Sequence, residues 1–132
     1  MNFLMDTRSL IWVLEDNKNL SPVARATILD LNNQIFVSTI NLWEISLKSS
    51  IGKLVLEGFD ITTLPTLIKK MDFDILTLSA EDASSYHLLG EKFHRDPFDR
   101  MLIWQAIRNN FALITKDPII ELYESEGLRT LW

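Results

Sequence analysis

Four carboxylates in this chain stand where a fold could turn them into one reagent. Asp6 ends the apolar run Asn2-Phe3-Leu4-Met5, and Asp117 comes two residues after Phe111-Ala112-Leu113-Ile114-Thr115. Glu44 comes six residues after Gln34-Ile35-Phe36-Val37-Ser38, and Asp99 lies at the start of an apolar helix. Gathered at one place, two such charges about 4 Å apart repel by roughly 4 kcal/mol at an effective dielectric near 20. The group must then retain protons at raised pKa values or hold a divalent cation. Hard oxygen donors suit Mg²⁺ or Mn²⁺. Such ions clamp phosphoryl oxygens and activate water for in-line attack on a phosphodiester.

Each acid also has a plainer reading. Asp6-Thr7 fits a helix N-cap after a strand. Asn41-Leu42-Trp43-Glu44 fits a capping box, with Glu44 and Lys48 as an i,i+4 pair worth only about 0.3 kcal/mol. Asp96-Pro97-Phe98-Asp99 reads as cap, Pro at the first helical position and acid at the third, and Asp117-Pro118 repeats cap and Pro. Taken singly, each acid reads as a helix-start residue. Only a shared position at one edge of a sheet makes them a site.

The hydrophobic pattern supplies that edge. Apolar, β-branched runs predict strands over 2–5, 34–38, 74–78, 111–115 and 128–132. Helices are expected over 7–15, from Ser21-Pro22 to about Leu31, over 41–51 with Gly52 as the stop, over 61–71, from Ser79 to about Leu89, and over 97–109. Strands apolar on both faces and separated by helices predict a three-layer α/β/α sandwich with a mostly parallel central sheet. In such a sheet the functional crevice lies beyond the carboxyl ends of the strands, where Asp6 and Asp117 stand.

Composition narrows the class. The 132 residues carry 13 basic and 18 acidic side chains, a net charge of −5, with 47% hydrophobic residues and no Cys. This suits one folded domain spanning 1–132, with no linker, repeat or transmembrane run. Absent thiols exclude disulfides and Cys-zinc sites and fit a reducing, cytoplasmic setting, and no secretory segment is visible. The negative charge argues against bulk attraction to nucleic acid, because non-specific binding needs clustered Lys and Arg. It leaves room for an enzyme that grips nucleic acid through metal ions and a few basic side chains. A small basic rim around the acids remains: Arg8, Lys48, Lys53, His94, Arg95, Arg100 and Lys116, of which Lys53 and Lys116 read as solvated surface charges. Trp12, Trp43 and Trp104 sit among Leu and Ile on helix faces, which favours core packing or a partner interface over base stacking.

Taken together, Leu4-Met5-Asp6-Thr7, Val37-Ser38, Leu42-Trp43-Glu44-Ile45 with Lys48, Gly52-Lys53-Leu54, His94-Arg95-Asp96-Pro97-Phe98-Asp99-Arg100 and Leu113-Ile114-Thr115-Lys116-Asp117 resemble the PIN-domain family. Within it they look like VapC-type ribonuclease toxins of type II toxin–antitoxin pairs. The likeness spans nearly the whole chain, and HRDPFDR is its most specific string. It implies a PIN-like fold and Mg²⁺- or Mn²⁺-dependent endonucleolytic cleavage of RNA, with Asp6, Glu44, Asp99 and Asp117 as the catalytic acids. Asp6, Asp99 and Asp117 would be the metal ligands, and Glu44 would hold or deprotonate the attacking water or bind a second ion. Asp96 would cap the helix. Thr7, Ser38 and Thr115 would orient carboxylates from behind, and Arg8, Arg95 and Arg100 would contact substrate. A cognate antitoxin laid on the Trp- and Leu-rich N-terminal helices, and a homodimer, are the implied protein partners; no membrane is.

Two positions depart from the family pattern: Arg8 replaces the usual His, and Trp104 replaces a small residue. Neither touches the four acids. The competing reading is a PIN-like binding or regulatory module that is catalytically silent. An aspartyl-phosphate mechanism is weaker, since it calls for a second acid at the position of Arg8.

Overall fold

The computed structural model describes all 132 residues. Five strands, β1 (Asn2–Met5), β2 (Gln34–Ser38), β3 (Asp74–Leu76), β4 (Ala112–Ile114) and β5 (Arg129–Leu131), form one sheet in the order β3-β2-β1-β4-β5. Every neighbouring pair is parallel, so the sheet is wholly rather than mostly parallel. Seven α-helices connect and cover it: α1 (Thr7–Leu14), α2 (Pro22–Leu29), α3 (Thr39–Ser50), α4 (Leu64–Lys70), α5 (Ala80–Ser85), α6 (Pro97–Asn109) and α7 (Pro118–Glu121). Short 3-10 turns sit at Ile61–Thr63, Tyr86–Leu88 and Leu122–Glu126. No helix is long and apolar enough to cross a membrane.

The alternation of side chains along a strand explains the two covered faces. Phe3, Met5, Ile35, Val37, Ala112 and Ile114 point into one core, with Leu10 of α1, Ala24 of α2, Ile45 of α3 and Leu64 and Ile68 of α4. Leu4 and Leu113 point into the other, with Leu102, Ile103, Trp104 and Ala106 of α6 and Ile120 of α7. A strand buried on both faces needs apolar residues at every position, which is why the runs lack polar alternation.

Most expected elements fall within two residues of their predicted ends. The helices expected over 61–71 and from Ser79 to about Leu89 are shorter, because Ile61–Thr63 and Tyr86–Leu88 wind as 3-10 turns. The small shift at the start of α3 moves a candidate residue. Helix α3 starts earlier than expected. Ser38 is its N-cap, accepting from the Ile40 N–H at 3.0 Å, and Asn41 occupies the third position, its Oδ1 accepting from the Ser38 N–H at 2.7 Å. Glu44 therefore sits inside the helix and caps nothing. At the other end Gly52 takes φ +74°, and the Lys53 N–H returns to the Lys48 carbonyl at 2.9 Å, the turn that closes a helix with a left-handed residue. That turn brings Lys53 back beside Lys48.

Candidate active site at the carboxyl edge of the sheet

Parallel strands that all end at one edge make every following helix begin there. Capping and convergence are thus one fact, because an acid that caps a helix after a parallel strand already stands at the edge. Asp6 follows β1, is held there by its N–H on the Ile114 carbonyl at 3.1 Å, and caps α1 by accepting from the Ser9 N–H at 2.8 Å. Asp117 caps α7 through the Ile119 N–H at 2.9 Å, and Asp96 caps α6 through the Phe98 N–H at 2.9 Å. Asp99, three residues into α6, and Glu44, one turn and a half into α3, cap nothing.

All five acids line one cleft of about 290 Å³, together with Thr7, Arg8, Trp12, Lys48, Lys53 and Lys116. Burial raises the Asp6 carboxyl above its ordinary value, against the opposing pull of hydrogen bonding from Ser9 and Thr115. Asp99 is pushed up to about 7, first by loss of water and then by repulsion from Asp96, Glu44, Asp6 and Asp117. Glu44 is 4% exposed; its Oε2 takes the Lys48 ammonium, while its Oε1 is buried with no hydrogen-bond partner. Lys48 is held protonated above the usual lysine range, chiefly by that bond.

A hard divalent cation fits this donor set. The donors are carboxylate oxygens, the buried Glu44 Oε1 lacks a partner, and Asp99 is crowded by four like charges. No three acidic or imidazole side chains are gathered tightly enough to chelate an ion by themselves. An ion that keeps several of its own waters, as Mg²⁺ does, suits such an open arrangement.

The hydroxyls expected behind the acids divide. Thr115 hydrogen-bonds toward Asp6 and accepts from the Asp117 N–H at 3.1 Å, so it braces two acids. Thr7 accepts from Asn41 Nδ2 at 3.0 Å, and the same amide nitrogen donates to the Met5 carbonyl at 3.2 Å, locking α3 to the end of β1. Ser38 faces the other layer, donating to Gln105 Oε1 of α6, and orients no acid.

The three arginines also part company. Arg8 is exposed on the cleft wall, as expected, with its guanidinium 6.0 Å from the Trp12 ring. Arg95 is exposed and lies outside the cleft, because the extended backbone into the α6 cap turns Asp96 inward and its neighbour outward. Arg100 is 4% exposed, one residue and so about 100° around α6 from Asp99. Its guanidinium donates to Tyr86 Oη and Tyr123 Oη, both at 2.8 Å, and to the Glu91 and Leu89 carbonyls. Arg100 is thus committed to the core behind the cleft, whereas Arg95 remains an exposed neighbour of the cleft residue Asp96.

Other side chains of the expected basic rim, and one aromatic, complete the cleft. Trp12 packs against the first core, as its apolar helix face implied, and also lines the cleft, its ring lying 5.7 Å from Lys116 Nζ and tilted against Trp132 at 5.7 Å. Lys53 and Lys116, read as surface charges, both line the cleft. His94 meets Asp99 across 3.6 Å. Trp43 is 58% exposed and edges onto Phe98, whereas Trp104 is buried and bonded to Ser85 Oγ. Only the partners across the sheet edge, distant in sequence, distinguish these fates.

A parallel five-stranded sheet with acids from four separate segments at its carboxyl edge defines an α/β protein with an anionic cleft. The PIN domain profile matches residues 3–124, so the chain belongs to the PIN domain family. No curated protein matches it. Similar solved structures include VapBC2 from Rickettsia felis bound to a DNA fragment from its promoter, at 18% identity and TM-score 0.70, covering 99% of this chain and 98% of that one. VapBC-1 from nontypeable Haemophilus influenzae gives 18% and 0.69, with 99% and 97% covered. VapBC-5 from Mycobacterium tuberculosis, a member of the VapBC family of toxin–antitoxin systems, gives 15% and 0.61, with 98% and 97% covered. At such identities the likeness is one of fold.

Proposed function

We propose that this PIN domain is a Mg²⁺- or Mn²⁺-dependent endoribonuclease acting as the toxin of a toxin–antitoxin pair. The observation that carries the reading is the shared cleft of Asp6, Glu44, Asp99 and Asp117, in which Glu44 presents a buried, partnerless oxygen. Asp6, Asp99 and Asp117 would hold the cation, directly or through water. When bound, it would supply the positive charge that offsets these acids and polarises a phosphoryl oxygen.

The chain's own residues supply the rest. Lys48 fixes Glu44 through Oε2, so Oε1 is the atom free to take a proton from the attacking water. Arg8 and Lys116, both beside the Trp12 ring, line the cleft as a cationic wall for the flanking phosphates of an RNA strand. Arg8 stands where the family usually has His, so the role of that His does not carry over; a permanently charged guanidinium there suits a phosphate instead.

An antitoxin partner is supported by the complexes in which the similar folds occur and by a largely apolar groove that shares no residue with the acid cleft. That groove is lined by Val13, Ile28, Leu29, Leu31, Ile35, Met71 and Phe73. It lies beside α2 rather than over the Trp side chains. A homodimer and a cytoplasmic setting complete the proposal.

The test pairs two readouts. Induction in a bacterial host should arrest growth, and co-expression of the adjacent reading frame should relieve it. Purified protein should cut RNA with Mn²⁺ present, and Asp99→Asn should not, while keeping its far-UV spectrum. Folded wild-type protein that neither arrests growth nor cuts RNA would establish the silent-module reading instead.

A further inference from the structure

Directly behind Asp99 lies a buried polar chain that the proposed chemistry has not used. Arg100 Nη1 donates to Tyr123 Oη at 2.8 Å, Tyr123 Oη lies 3.0 Å from His94 Nδ1, and His94 Nε2 faces Asp99 Oδ2 at 3.6 Å. Tyr123 is fully buried, the His94 side chain is 14% exposed, and His94 Nε2 has no hydrogen-bond partner. An orphaned buried ring nitrogen is costly and calls for an explanation.

The direction of the protons in this chain follows from donor counting. A guanidinium has no acceptor, so Tyr123 Oη must receive the Arg100 bond. Its single proton then has one remaining partner, His94 Nδ1. With Nδ1 accepting, the neutral imidazole carries its hydrogen on Nε2, aimed at the Asp99 carboxylate. The opposite tautomer strands the Tyr123 proton in the core and, once Asp99 is ionised, sets the Nε2 lone pair against a carboxylate oxygen. Both faults favour the same answer.

We propose that Arg100, Tyr123 and His94 form a hydrogen-bond relay of fixed direction that orients the Asp99 carboxylate for cation binding. They are positioning residues, and the role rests on the nuclease reading for its consequence though not for its geometry. The 3.6 Å separation is about 0.7 Å longer than an ordinary N–H···O bond, a gap closed by a small rotation of Asp99. Arg100 also ties down the segment that carries His94, through the Leu89 and Glu91 carbonyls. The second arginine of HRDPFDR thus acts on the cleft from behind rather than on the substrate.

Long-range ¹H–¹⁵N correlation of the imidazoles at pH 8, where histidine is ordinarily neutral, reads the tautomer without metal or substrate. The expected result is His94 with hydrogen on Nε2, and loss of that preference in Tyr123→Phe. A wild-type His94 protonated on Nδ1 overturns the relay. Calorimetric titration with Mn²⁺ then tests its consequence. His94→Ala should weaken binding about tenfold, and His94→Gln, whose amide reaches the Nε2 position, should recover most of it. In RNA cleavage the same loss should appear in kcat with KM unchanged. Nε2 protonation with Mn²⁺ binding unaltered in His94→Ala overturns the positioning role. If wild-type protein binds no Mn²⁺ and cuts no RNA, the nuclease reading and the positioning role fail together. The tautomer still decides the relay by itself.

Discussion

Asp99 and Arg100 are neighbours in sequence and opposites in circumstance. Arg100 is a buried cation whose guanidinium reaches two phenols and two carbonyls. Asp99 is a largely buried anion facing four other anions, its carboxyl driven up to about 7. A helix separates consecutive side chains by about 100°, so adjacent residues can serve a satisfied core and a frustrated cleft. Structural polar residues come with their partners; functional ones leave atoms waiting.

The sharpest way to break this contrast is to remove the waiting groups. Glu44→Gln and Asp99→Asn should each lower RNA cleavage by roughly a hundredfold or more, as expected when a group that acts on the reacting centre is neutralised. Single-turnover assays with Mn²⁺ check this, with thermal melts to show that the variants fold. Retained cleavage in either variant would detach the cleft from the chemistry.

Removing the satisfied group should hurt stability instead. Arg100→Leu leaves Tyr86, Tyr123 and two carbonyls short of donors, and urea unfolding should show a loss of about 2–4 kcal/mol. Arg100→Lys should recover little, because an ammonium cannot reproduce the planar fork that reaches four acceptors.

Asp99 should behave in the reverse sense. Its folded pKa lies above its unfolded value, so between about pH 4 and 7 the native state keeps a proton that the unfolded chain has released. Stability therefore falls as pH rises through that window, and the full penalty is present above pH 7. Asp99→Asn removes it. The metal-free variant should be more stable than wild type by on the order of 2 kcal/mol at pH 8, and equal to it near pH 3. Adding Mn²⁺ should raise the melting temperature of wild type and close the gap. A variant no more stable than wild type at pH 8 would mean that the carboxylates are not crowded in solution.

How much of this was legible follows the same divide. The strands, and the acids that end or follow them, could be read because burial on both faces leaves an unbroken apolar run with a polar stop. Cap signatures at Asp6, Asp96 and Asp117 were legible too, and all three are caps. Glu44 was misread as part of a capping box because Ser38, the last residue of β2, starts α3 without a break. Arg100 and Tyr123 are 23 residues apart, and their contact depends on how α6 packs against the turn after α7. Local pattern says nothing about such a pairing. The core contact of Trp12 was legible in its apolar helix; its second face, on the cleft beside Trp132, was not.

The smallest expected effect concerns the wall that Trp12 supports. Arg8 and Lys116 are exposed, so each contributes a screened attraction to a phosphate rather than a buried ion pair. Lys116→Ala should raise KM for RNA about two- to fivefold at 0.1 M salt and leave kcat unchanged, and the slope of binding against salt should flatten by about one ion's worth. Trp12→Leu keeps the apolar contact but removes the ring face that attracts both cations. If the ring matters by holding those cations near the acids, Trp12→Leu should mimic a partial loss of both charges, and adding Lys116→Ala should cost less than it does in wild type. Strict additivity would assign Trp12 to packing alone, and leave the basic wall to be drawn by Arg8 and Lys116 unaided.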